Sequence, residues 1–137
     1  MTASIWLDRA DRGIRSAEVT LDDGDPNGSC GLAYYAMFYA AKAALIAAGE
    51  DRAASAKTHS GLIAAFNQHL VQTGEIAAEH GRGLAAEASR RLLATYQGGM
   101  VEREEAVEAL NRATAFATAV REWVDRKAQL TASGSAR

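Results

Sequence analysis

The feature that most constrains this chain is the stretch of residues 30–48, in which Lys42 is the single charged residue. The stretch is long enough for a transmembrane helix. Three tyrosines in its first half and Lys42 in its middle favour a different structure, the buried central helix of a helical bundle. We therefore expect a protein that does not span a membrane.

The rest of the sequence also predicts helices. One proline and the lack of alternating Val, Ile and Thr runs argue against strands. Apolar spacing and Gly or Pro breaks predict helices over residues 4–21, 25–48, 60–71, 84–96 and 102–130. The fold class predicted is all-α, an up-and-down bundle of about four to five helices.

The predicted domain organisation is simple. Residues 1–130 are long enough to bury one core and form a single helical domain. Residues 131–137 are small and polar, bury nothing and form a disordered tail. Asp8 and Arg9 interrupt any signal peptide, and the single Cys30 fits a reducing compartment. We expect a cytoplasmic protein.

No metal or cofactor is predicted. The sequence has no Glu-x-x-His pair of a di-metal bundle and no Gly-rich phosphate loop. His59, His69 and His80 lack the spacing of metal ligands, and no cysteine lies beside them. The net charge of −2 gives no overall attraction to nucleic acid. Arginine and histidine remain as candidates for chemistry.

Arg52 and His59 are the candidate catalytic residues, with residues 53–58 between them. RNA cleavage without a metal needs a group that moves the 2′-hydroxyl proton and a cation that stabilises the phosphate. An imidazole titrates near neutral pH, and a guanidinium binds phosphate oxygens in pairs. Each residue also has a non-catalytic interpretation. His59, between Thr58 and Ser60, then belongs to the start of a helix, and Arg52 is a solvated cation in a loop.

Three short sequence motifs resemble those of the small HEPN domains. They are Ala-Tyr-Tyr-Ala-Met-Phe at residues 33–38, Lys-Thr-His-Ser-Gly-Leu-Ile at residues 57–63 and Arg-Leu-Leu-Ala-Thr-Tyr at residues 91–96. The resemblance implies a helical domain of toxin–antitoxin type that works as a homodimer, with its active site where two copies meet. It also implies a nucleotidyltransferase partner and RNA as the substrate of a metal-independent endoribonuclease.

The resemblance also implies roles for individual residues. HEPN ribonucleases carry an Arg followed by four to six residues and a His, a pattern that Arg52 and His59 satisfy. Lys57 and Arg91 are then candidates for RNA binding. Tyr35 and Tyr39, on the tyrosine-rich helix, are candidates for a dimer interface or a groove.

Two positions depart from the pattern of this branch of small HEPN domains. Its members tend to carry an Arg just before the Ala-Tyr-Tyr-Ala word and a His just after the Phe, where this chain has Leu32 and Tyr39. The departure favours an alternative function. The chain is then a non-catalytic helical module for dimerisation or protein interaction that has lost the ribonuclease residues.

Overall fold

The computed structural model describes residues 2–96 and 98–135, and these residues form helices without strands. The six α-helices are α1 (Ala3–Asp22), α2 (Pro26–Ala47), α3 (Asp51–Ala54), α4 (His59–Phe66), α5 (Ala78–Tyr96) and α6 (Arg103–Ser135). A π-helical turn, Asn67–Val71, continues α4. The all-α prediction is confirmed. The count exceeds the predicted four to five because α3 forms one turn in the connection after α2.

Helix α2 is the centre of the fold and contacts α1, α4, α5 and α6. Its buried residues cover more than half of the helix circumference: Ser29, Cys30, Ala33, Tyr34, Ala36, Met37, Ala40, Ala41, Ala43, Ala44 and Leu45. By length and composition α2 is able to cross a membrane, but 56% of its most apolar window is buried inside the fold. Its alanines allow close approach, since a Cβ at Gly13 of α1 would lie 3.1 Å from Ala36 Cβ.

Side-chain caps fix where α2 and α4 begin. Asp25 Oδ1 accepts a hydrogen bond from the Gly28 backbone N–H at 2.9 Å, as the Asp-Pro pair predicts. Thr58 Oγ1 accepts from the Gly61 N–H at 3.0 Å. Thr58 is therefore the cap of α4, and His59, its first residue, is left for other contacts.

Helix α5 begins at Ala78, six positions before the predicted start at residue 84. Gly81 and Gly83, which come just before the predicted start, lie inside the helix. The physical reason is packing. A Cβ at Gly81 would lie 3.1 Å from Val71 Cγ2, so glycine there lets α5 approach the π-helical turn closely.

Helix α6 extends to Ser135 instead of ending at residue 130. Residues 131–135, predicted to be disordered, are helical because no helix breaker follows Leu130 directly. Thr131 Oγ1 donates a hydrogen bond to the Lys127 carbonyl at 3.0 Å, within the same helix. Residues 136–137 of the predicted tail lie outside the described residues.

Asn27 ties the connection between α5 and α6 to the start of α2. Its Nδ2 donates to the Gly99 carbonyl at 3.0 Å, and its Oδ1 accepts from the Val101 N–H at 2.9 Å. We expect Asn27→Ala to lower the free energy of unfolding by about 2 kcal/mol, because part-buried backbone groups lose their partners. Asn111, exposed on α6, is the control, and its alanine variant should stay within about 0.5 kcal/mol. Equal urea midpoints for the two variants would contradict this role.

Candidate functional site

A groove between α2, α4 and α5 combines aromatic, imidazole and guanidinium groups. It has a volume of about 520 Å³, and we call it the aromatic groove. Its walls are Tyr34 and Tyr35 from α2, His59, Ser60 and Ile63 from α4, and Ala88, Arg91 and Leu92 from α5. Three separate helices thus bring chemically distinct side chains to one place.

The His59 ring is held in one orientation. Its Nδ1 lies 2.7 Å from the Tyr34 hydroxyl oxygen, a hydrogen bond. The ring stacks on Tyr34 with an interplanar angle of 28°, and its centroid lies 4.6 Å from that of Phe38. Tyr35 meets it edge-on at 5.5 Å. Nε2 is the ring nitrogen left for a ligand, since no described residue bonds to it.

Arg91 lies across the groove against the same tyrosines. Its Nη2 donates a hydrogen bond to the Tyr35 hydroxyl at 3.0 Å. The guanidinium carbon lies 5.0 Å from the centroid of the Tyr35 ring and 5.7 Å from that of Tyr34, both within cation–π range. Tyr35 thus connects the guanidinium to the imidazole, since it bonds to Arg91 and touches His59.

The electrostatics keep the imidazole neutral and the phenol protonated. Burial lowers the pKa of His59 below its ordinary value of 6.5, and the positive charge of Arg91 lowers it further. Burial raises the pKa of Tyr34 to about 12, against a smaller opposing effect of Arg91. At pH 7 the groove therefore carries the positive charge of Arg91 beside a neutral imidazole.

The structure brings together some of the predicted site residues and leaves others apart. Arg52 is exposed on α3 and makes no hydrogen bond or ion pair within the described residues, whereas Arg91 is the guanidinium whose charge acts on His59. Lys57 is exposed before α4 and does not line the groove. Tyr35, a candidate for a dimer interface or a groove, lines the aromatic groove.

Tyr39 lies one turn of α2 after Tyr35, with 6.2 Å between the ring centroids, but it does not line the aromatic groove. Its ring packs on Trp6 of α1 at 5.7 Å between centroids, and it is half-buried. Leu32, the other position that departs from the family pattern, is 36% exposed. Neither Leu32 nor Tyr39 lines the aromatic groove.

The sequence did not identify Tyr34 as a site residue. The residue is buried, but its hydroxyl reaches His59 from a position 25 residues earlier in the chain. Adjacent tyrosines on a helix point in different directions, so one can fill the core while the other lines a groove. Here Tyr34 is buried in the core and also lines the groove.

The burial of the Glu87 carboxylate was also not predicted from the sequence. Glu87 is fully buried, and Arg112 Nη1 of α6 donates a hydrogen bond to its Oε2 at 2.7 Å. Its Oε1 makes no hydrogen bond but lies 3.3 Å from Arg90 Nη1. Both arginines also pair with the half-exposed Glu108. Arg90 therefore belongs to this ion-pair network and does not line the aromatic groove.

The sequence resemblance is confirmed by comparison with known proteins. Residues 3–123 match the family model described as HEPN domain, which covers most of the chain. This protein belongs to the HEPN domain family.

Curated relatives agree with that membership. The chain is similar to UPF0332 protein glr0978 of Gloeobacter violaceus, with 37% identity over 67% of this chain and 70% of the relative. It is similar to a UPF0332 protein of Thermotoga maritima, with 34% identity over 73% of this chain and 72% of the relative. A third match, UPF0332 protein PH1297 of Pyrococcus horikoshii, is 41% identical over 46% of this chain and 42% of the relative.

Proposed function

We propose that this chain is the HEPN component of a toxin–antitoxin type pair and acts on RNA as a metal-independent endoribonuclease. The observation that carries the proposal is the meeting of one imidazole and one guanidinium in the aromatic groove. Tyr34 holds His59 through a hydrogen bond, and Tyr35 holds Arg91 in the same way. These two groups match the needs of phosphate cleavage without a metal.

Each group has a defined role in the proposed reaction. The 2′-oxygen attacks phosphorus and loses its proton, and the bond from phosphorus to the 5′-oxygen breaks as that oxygen gains a proton. The products are a 2′,3′-cyclic phosphate and a 5′-hydroxyl. Arg91 binds the phosphate oxygens and stabilises the extra charge in the transition state. His59 acts at Nε2 in proton transfer.

The proposed assembly is a homodimer in the cytoplasm with a nucleotidyltransferase as the neutralising or modifying partner. Cleavage needs two proton transfers, and one imidazole serves one of them. The other transfer needs a second group, which supports a second copy of the chain beside the groove. Leu92 is 48% exposed and Leu93 is 52% exposed at the end of α5, and adjacent exposed leucines support an interface there.

The test is incubation of the purified protein with single-stranded RNA in the presence of EDTA. We expect fragments that end in a 2′,3′-cyclic phosphate, together with new 5′-hydroxyl ends. A matched oligonucleotide with 2′-deoxy nucleotides should stay intact because it lacks the attacking oxygen. Intact RNA after prolonged incubation with folded protein contradicts the ribonuclease proposal.

The second candidate is a non-catalytic module that dimerises or binds a protein partner. Leu32 and Tyr39 favour it, because they stand where the family branch carries ionisable residues. We expect Leu92→Glu to shift the protein from dimer to monomer in sedimentation experiments, since a charge enters an apolar interface. Leu130→Glu is the control, because Leu130 is 73% exposed on α6. A shift with both variants, or with neither, contradicts an interface at the end of α5.

A further inference from the structure

We propose that Tyr34 is a positioning residue that holds His59 as the tautomer with its proton on Nε2. In that form His59 and Arg91 present two hydrogen-bond donors to the oxygens of one phosphate group. The identity of the ligand, an RNA phosphate, rests on the function proposed above. The tautomer does not, because it follows from the contacts of the free protein.

The hydroxyl proton of Tyr34 determines the tautomer. Tyr34 is 1% exposed, and Nδ1 of His59 is the hydrogen-bond partner that the described residues give its hydroxyl. When the phenol donates to Nδ1, the imidazole proton is on Nε2. With the proton on Nδ1, the buried phenol O–H would have no acceptor. A buried unsatisfied donor is costly enough to disfavour that tautomer by about tenfold or more.

The same hydrogen bond opposes protonation of His59. An imidazolium carries protons on both nitrogens, so it cannot accept the Tyr34 hydrogen bond. The groups that face the ring are Tyr34, Tyr35 and Phe38 from α2 and Arg91 from α5, and none of them carries a negative charge at pH 7. The neutral form with Nε2–H is the resting state of the groove.

This resting state selects the ligand and constrains the reaction. Nε2–H and the Arg91 guanidinium are both donors, so the pair binds an oxyanion such as the phosphate of RNA. Nε2 cannot accept a proton in this form. Removal of the 2′-hydroxyl proton by His59 therefore requires the imidazole proton to be on Nδ1 instead of Nε2, and the Tyr34 O–H to turn away from Nδ1. This requirement couples Tyr34 to any cleavage step.

Long-range ¹H–¹⁵N NMR spectra of the full chain, with histidine labelled, test the proposal in the free protein. We expect the Nδ1 resonance of His59 at the position of an unprotonated nitrogen and Nε2 at that of a protonated one. In Tyr34→Phe, which keeps the ring, we expect a mixture of tautomers and a His59 pKa raised towards 6.5. Tyr39→Phe removes the same hydroxyl from a neighbouring ring that does not line the groove, and it should match the wild type.

Binding to an RNA oligonucleotide with 2′-O-methyl groups is the second measurement. We expect Tyr34→Phe to weaken binding roughly three- to tenfold, the effect of one hydrogen bond. A wild-type Nδ1–H tautomer overturns the proposal, and so does a tautomer unchanged in Tyr34→Phe. An Nε2–H tautomer in a protein that does not bind RNA upholds the positioning role of Tyr34 and overturns the proposed RNA function alone.

Discussion

Alanine in place of either His59 or Arg91 should lower the rate of RNA cleavage at least about 100-fold. His59→Ala removes the proton-transfer group, an effect of about 10²–10⁴ in known enzymes. Arg91→Ala removes the cation that stabilises the developing charge on phosphate, an effect of about 10²–10³. The measurement is the initial rate on a labelled RNA in EDTA, with circular dichroism to show that each variant is folded.

Two further arginine variants make this result specific. Arg126→Ala is the matched control, because Arg126 is exposed on α6 away from the groove lining, and its rate should equal that of the wild type. Arg52→Ala separates the two possible cation partners of His59. Loss of cleavage in Arg52→Ala with an unchanged rate in Arg91→Ala would reject the groove and restore the Arg52–His59 pair predicted from sequence.

Glu87→Ala should lower the free energy of unfolding by about 3–5 kcal/mol, the cost of removing one partner of a buried ion pair. The change removes a fully buried side chain and leaves Arg90 and Arg112 with the half-exposed Glu108 as their remaining ion-pair partner. Such a loss is a large part of the typical stability of a domain, about 5–15 kcal/mol. Urea unfolding followed by circular dichroism measures it.

Glu108→Ala is the control for this buried network. Glu108 pairs with the same two arginines, but half of its side chain is exposed, so solvent screens the interaction. We expect a loss of about 1 kcal/mol or less. If both glutamate variants lose the same stability, burial of Glu87 is not what gives the network its strength.

The sequence predicted the fold well because its strongest signals are local. The weakly charged stretch at residues 30–48 predicted the buried α2, and the Asp25-Pro26 pair predicted where it begins. Both follow from the properties of one segment. The start of α5 was wrong because Gly81 acts through a neighbouring segment, where its missing Cβ allows contact with Val71. A single sequence does not show which role a glycine has.

The sequence predicted only part of the candidate site, because contacts between separate helices are not visible in one segment. Spacing along the chain paired His59 with Arg52, whereas the structure places Arg91 of α5 in the groove with His59. The hydrogen bond from Tyr34 joins α2 to α4, and tyrosine on an apolar helix looks like core. The burial of Glu87 was not predicted, because its partner Arg112 lies on α6 and reaches it only when α5 packs on α6.

The most direct test of the account is to map where RNA binds. Chemical-shift changes should be followed as an RNA oligonucleotide with 2′-O-methyl groups is added to the ¹⁵N-labelled protein. We expect the largest chemical-shift changes at Tyr35, His59 and Arg91 of the wild type. In Arg91→Ala we expect the changes at Tyr35 and His59 to be lost. Changes centred on Arg52 and Lys57 would contradict the aromatic groove as the RNA phosphate site.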